Sequence, residues 1–121
     1  LSYTTFETCD LEISPAETNP GTPVTISVTV RNTGSRAGQD VVMLYLTDCY
    51  RRITPVVRQL RGFRKVFLQP GEEARIQFTL SDRDLAFVNE QMKWEIEPGE
   101  FQVSVGSQNA SFWLKNGKIL A

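Results

Sequence analysis

Residues 24–30 read Val-Thr-Ile-Ser-Val-Thr-Val. Val24, Ile26, Val28 and Val30 take every second position, and the hydroxyl residues Thr25, Ser27 and Thr29 fill the gaps. A period of two places the aliphatic set on one face of a pleated strand and the hydroxyl set on the other. Residues branched at Cβ favour that extended backbone. The same beat recurs along the chain. Ile76, Phe78 and Leu80 alternate with Arg75, Gln77 and Thr79, and Phe101, Val103 and Val105 alternate with Gln102 and Ser104. Met92, Trp94 and Ile96 share one parity, which makes Trp94 an expected core residue. Trp113 stands between Phe112 and Leu114, so it is expected to face outward or into an interface. Near the start, Cys9, Leu11 and Ile13 share a parity as well. No window of ten or more residues carries a helical stripe.

Turn chemistry separates these runs. Asn19-Pro20-Gly21-Thr22-Pro23, Asn32-Thr33-Gly34-Ser35, Pro70-Gly71 and Pro98-Gly99 supply fixed φ at proline and tolerance of positive φ at glycine. Ser81 to Asp84 reads as a cap, followed by one helical turn through Leu85 to Phe87. Short strands at roughly ten-residue spacing define an all-β fold: a two-sheet antiparallel sandwich of seven to eight strands, immunoglobulin-like or fibronectin type III-like. One strand breaks the alternation. Val41-Val42-Met43-Leu44-Tyr45-Leu46 is apolar at both parities. Its outer side is either shielded within the domain by a loop or by long Arg stems, or docked against another domain.

Composition narrows the functional classes. The chain has 121 residues, 40% of them apolar and 22% charged, with a net charge of −1. One domain of that size buries roughly two-thirds of its unfolded surface and folds without a disulfide framework. The longest apolar run, residues 41–46, is strand-sized and far short of the ~18 residues of a helical membrane span. Six of the 13 Lys and Arg residues, Arg51, Arg52, Arg58, Arg61, Arg64 and Lys65, fall together with no acid among them. In a mildly acidic chain with only Phe63 interleaved, they read as a solvated loop and strand edge rather than a nucleic-acid surface. There is no histidine, so the commonest general base and metal ligand are both missing. No serine sits in a nucleophile elbow, and Glu72, Glu73, Glu95 and Glu100 lie beside turns or at polar parities. No catalytic site, metal site or cofactor site is expected. Cys9 and Cys49 are a candidate disulfide, and Asn109-Ala110-Ser111 is a candidate N-glycosylation sequon. Both point to an extracellular protein.

Four phrases, in order, carry a resemblance that covers nearly the whole chain: LSYTTF at 1–6, VRNTGSRAGQDVVMLYL at 30–46, QLRGFRKVFLQPGE at 59–72 and WEIEPGEFQVSVG at 94–106. They resemble the fibronectin type III-like domain that ends many glycoside hydrolase family 3 enzymes, the β-glucosidases and β-xylosidases. The resemblance implies that nucleophile and general acid/base lie in upstream domains, so no residue here is catalytic. It implies an architectural role, packing on the upstream catalytic domains of the same secreted polypeptide. It also implies a division into a junction at residues 1–6, the domain proper at 7–115 and a tail at 116–121. The junction phrase begins without Met or a signal-like segment, as expected of a cut fragment. Val41, Met43, Tyr45 and Trp113 are then candidates for the inter-domain face. Some relatives lend a loop near the substrate entrance; the candidate is the segment from Thr47 to Thr54, with Asp48, Tyr50, Arg51 and Arg52. The cysteine pair is outside the family pattern. Two other readings remain: a carbohydrate-binding module, which needs exposed aromatics, and an adhesion-type domain binding a protein or polyanion through residues 51–65.

Overall fold

The computed structural model describes residues 4–49, 58–88 and 90–120. Among these, β1 (Phe6–Ser14), β3 (Val24–Asn32) and β6 (Glu73–Leu80) form one antiparallel sheet in the order β1-β3-β6; the short strand β2 (Glu17–Thr18) lies between β1 and β3 in the chain. The second sheet has the order β2-β10-β9-β4-β5, with β4 at Gly38–Asp48, β5 at Arg58–Leu68, β9 at Gly99–Val105 and β10 at Gln108–Leu114. Only the β2–β10 pair is parallel. A small third sheet, β11-β8-β7, joins Lys118–Leu120, Trp94–Ile96 and Phe87–Val88. The helical turn α1 covers Asp82–Leu85, where the Asp84 carboxylate accepts from the Ser81 N–H at 2.8 Å and from its Oγ at 3.2 Å. Seven strands of seven to eleven residues thus make the sandwich expected from the alternation, with four shorter ones at its ends.

The alternating aliphatics meet in the middle. Val24, Ile26, Val28 and Val30 of β3 are fully buried against Val42, Leu44 and Leu46 of β4 and Val103 and Val105 of β9 in one cluster. The Phe101 and Phe112 rings stack within it, 5.4 Å apart. Burying each such side chain contributes about 1.5–3 kcal/mol. Gly62 lies on the inner face of β5, where an added Cβ would stand 3.0 Å from the Phe78 ring. The ring of one sheet therefore fills the place that a side chain at residue 62 would take.

Two β-bulges reset parity. The register of β1 shifts between Cys9 and Glu12, with Asp10 at φ 54°. Cys9 consequently pairs with Thr29 on the outer face, while Leu11 and Ile13 pack against the core. The shared parity expected for these three residues is corrected by that extra residue. Arg75 braces the bulge, donating to the Asp10 carbonyl at 2.6 Å and pairing with Glu12 at 3.0 Å. A second bulge in β5 places Arg61 out of register between Leu60 and Gly62. Its Nε donates to the Asp84 carbonyl at 2.9 Å.

Trp94 is the other correction. Residue 92 is left-handed at φ 60°, so the extended run begins only at Trp94. The three residues of β8 belong to the small end sheet, and Ile96 alone carries the apolar contact into the core. Trp94 remains 52% exposed. The segment expected as a tail includes β11, which pairs with β8 and places Leu120 against the core.

Candidate functional site

The doubly apolar strand resolves into two faces. Val42, Leu44 and Leu46 point inward, while Val41 and Met43 are exposed and Tyr45 is half-buried. Register places Met43 opposite Phe63 and Tyr45 opposite Leu60 on β5, and Lys65 opposite Val41. Phe63 and Phe67 are 60% and 63% exposed. The Tyr45 hydroxyl donates to the Met43 Sδ at 3.6 Å, and the Arg58 guanidinium covers the Tyr45 ring at 4.2 Å from its centroid. An apolar strip thus runs along β4 and β5 on the outer face of the second sheet. Contiguous exposed patches of this kind mark interaction surfaces. Leu60, Phe63 and Phe67 were not anticipated as part of it. Their signal was present in the sequence as apolar residues among the basic ones.

Three of the four described residues of the basic stretch make contacts within the domain. Arg58 caps Tyr45, Arg61 binds the Asp84 carbonyl, and Arg64 donates to the Gln77 carbonyl of the opposite sheet at 3.2 Å. Beside the bulge, Leu46, Asp48, Gln59, Arg61 and Asp84 line a cavity of about 20 Å³, room for one water. Of the candidate entrance loop, Asp48 ends β4; Tyr50, Arg51 and Arg52 lie outside the described residues.

The remaining candidates are dispersed. Trp113 is on the same outer face but belongs to β10, two strands away from β4. The Cys49 N–H donates to the Glu100 carbonyl, so Trp113, paired with Glu100, lies level with the end of β4 and six positions beyond Met43. That is about 20 Å along the strands and about 10 Å across them. The structure does not join Trp113 to the strip. Cys9 and Cys49 are free thiols, one on the outer face of the first sheet and the other at the end of a strand in the second. The structure does not bridge them. Burial, followed by the Asp10 and Glu7 carboxylates, pushes the Cys9 thiol up; burial, followed by Glu100 and Asp48, does so for Cys49. Asn109 is exposed on β10, its Oδ1 accepting from Ser104 Oγ at 2.7 Å. Among the described residues no group of three or more His, Cys, Asp or Glu side chains is placed to hold a metal ion, and no helix is long and apolar enough to cross a membrane.

Asn32 connects the phrases that carried the resemblance. Fully buried, it donates to the carbonyls of Arg36 at 2.7 Å and Leu68 at 3.0 Å, and accepts from Thr4 Oγ1 at 2.8 Å and the Gly34 N–H at 2.9 Å. Its backbone bonds the Pro-Gly turn, taking the Gly71 N–H and donating to the Glu72 carbonyl. Thr33 holds the chain start through the Thr5 carbonyl at 2.9 Å. Residue 34 must be glycine, because a Cβ there would sit 1.9 Å from Thr4 Oγ1. One residue, through its side chain and its backbone, thus ties the first phrase, the Asn-Thr-Gly loop and the turn after β5 together.

The seven long strands and the buried asparagine hub define a two-sheet, all-β sandwich of the fibronectin type III-like class. The fibronectin type III-like domain family matches residues 40–109. The chain is 39% identical over 116 residues to thermostable β-glucosidase B of Acetivibrio thermocellus, covering 95% of this chain and 15% of that protein. It is 42% identical over 110 residues to the periplasmic β-glucosidase of Salmonella typhimurium, covering 91% and 14%. The solved structure of an Erythrobacter marinus β-glucosidase superposes with a TM-score of 0.87 at 37% identity, covering 94% of this chain and 16% of that one. The chain belongs to the fibronectin type III-like family, as the small domain of that kind found in glycoside hydrolase family 3 enzymes. It spans about 15% of the length of the relatives it matches.

Proposed function

We propose that the chain is a non-catalytic supporting domain of a secreted family 3 β-glucosidase or β-xylosidase, docked through the β4–β5 strip on the catalytic domains of the same polypeptide. The observation that carries this reading is the strip itself: Val41, Met43, Leu60, Phe63 and Phe67 are large, apolar and exposed on adjacent strands. Leaving them in water forgoes the stabilisation that a covering surface supplies, about 25 cal/mol per Å². Arg58 and Lys65 border the strip, so the covering surface is apolar with acidic groups at its rim. In the same reading, residues 1–6 form the junction, 7–115 the domain and 116–121 its tail, and the segment from Thr47 to Thr54 reaches toward the substrate entrance. The Salmonella relative, a periplasmic protein, supports an extracytoplasmic location.

The test compares one double substitution in two settings. Met43→Lys with Phe63→Lys should leave the isolated chain's thermal midpoint within a few degrees, since both sites are exposed. In the full-length enzyme the same pair should shorten the half-life of nitrophenyl-glucoside or nitrophenyl-xyloside hydrolysis on heating. Equal half-lives for variant and parent enzyme would remove the docking face. Hydrolysis of either substrate by the isolated chain would overturn the non-catalytic assignment.

A further inference from the structure

Trp113 is 51% exposed at the far edge of the second sheet from the docking strip. Its register neighbours are both glutamates, Glu100 on β9 and Glu17 on β2, and all three side chains project from the outer face. Glu17 is held in place. The Trp113 N–H donates to the Ala16 carbonyl and the Lys115 N–H to the Thr18 carbonyl, each at 2.8 Å, which fastens β2 to β10. Lys115 Nζ pairs with Glu17 Oε2 at 3.1 Å. Trp113, Glu17, Lys115 and Pro98 line an open groove of about 450 Å³.

We propose that this groove binds a neutral β-linked pyranose oligosaccharide, with the Trp113 indole as its stacking platform. A pyranose whose hydroxyls are all equatorial presents a flat C–H face, which packs on an aromatic ring. Its rim of hydroxyls donates to the Glu17 carboxylate and accepts from the Lys115 ammonium, while Glu100 flanks the indole from β9, outside the groove lining. With Glu17 already paired to that ammonium and Glu100 flanking the indole, no free positive charge is left among the described lining residues to hold phosphate or sulfate, so the groove selects a polyol over a nucleic acid or a sulfated polymer. The groove lies apart from the strip on β4 and β5, so a domain docked through that strip keeps it open. The inference therefore stands or falls independently of the docking reading.

The chain is run through native gels cast with barley β-glucan or with xylan and compared with blank gels. The wild type should be retarded by at least one of the two polymers. Trp113→Ala should lose at least about five-fold in affinity, the scale of one lost aromatic stack. Trp113→Phe should recover part of the retardation, and Trp94→Ala, which removes the other exposed indole, should match the wild type. Far-ultraviolet circular dichroism shows that each variant is folded. Wild-type mobility equal to the blank in both gels, or retardation that survives Trp113→Ala, overturns the proposal. Retention on a sulfated polymer alone overturns it equally.

Discussion

Replacing Asn32 by alanine removes four hydrogen bonds from a side chain with no exposed surface. Leu68 contributes its carbonyl to the one bond that is itself fully buried, and losing that partner costs about 1–3 kcal/mol. The partners at Thr4, Gly34 and Arg36 are part-buried and regain some water. They lose closer to about 0.5–1 kcal/mol each. The sum is about 2.5–6 kcal/mol, a large fraction of the 5–15 kcal/mol typical of a domain. At this chain length it lowers the thermal midpoint by roughly 10–25 °C. Urea unfolding of the isolated chain measures the loss, and amide exchange locates it. The Thr33 N–H, which donates to the Thr5 carbonyl, should lose protection first. Asn32→Asp separates donors from shape. The carboxylate keeps the acceptor but turns both donor sites into charge facing the carbonyls of Arg36 and Leu68. The folded state disfavours the ionised form, so the carboxyl's pKa is raised there. The penalty is then absent below the unfolded value of about 4 and grows as pH rises above it. An Asn32→Ala variant within about 1 kcal/mol of wild type, with Thr33 protection intact, would refute the hub.

Gly62→Val should destabilise by about 1–3 kcal/mol in the same urea assay, because Phe78 stands where the side chain would go and the core must shift to admit it. Trp94→Ala should cost under about 1 kcal/mol, whereas Phe112→Ala, at the centre of the stacked pair, should cost about 3–5 kcal/mol. Both cysteines should react with a chromogenic disulfide reagent in the native state, and reductant should leave the mass unchanged. Their rates should climb with pH along a curve displaced above the ordinary thiol range, since both thiols are pushed up.

Alternation exposed β3, β6, β9 and β10 directly, because each has one face in the core and one in water. It misplaced Cys9, since a bulge inserts one residue and reverses parity downstream while leaving the residue types unchanged. It misplaced Trp94 because that residue shares Ile96's parity but opens a three-residue strand of the small end sheet, where only Ile96 reaches the core. The cap was legible from Ser81 and Asp84, whose side chains make the local bonds that such residues favour, but the turn expected at Leu85 to Phe87 lies at Asp82–Leu85, and Phe87 begins β7.

The strand β5 shows why the rest was hidden. In RQLRGFRKVFL, Leu60, Phe63 and Phe67 face outward, Arg61 is displaced by the bulge, and the inner face carries Gly62 and Arg64 before Val66 and Leu68 reach the core. A rule that sends apolar side chains inward inverts such a strand or dismisses it as a basic loop. Under the proposed docking, a surface outside the described residues covers these side chains. Trp113 has the same character at the opposite edge: apolar, outward and flanked by charges that the core does not need. Where a domain's own packing accounts for a side chain, parity predicts its place. Where parity fails without a bulge or turn to explain it, as at Phe63 and Phe67, the proposed docking surface is the physical cause; Trp113 faces outward as its parity predicts.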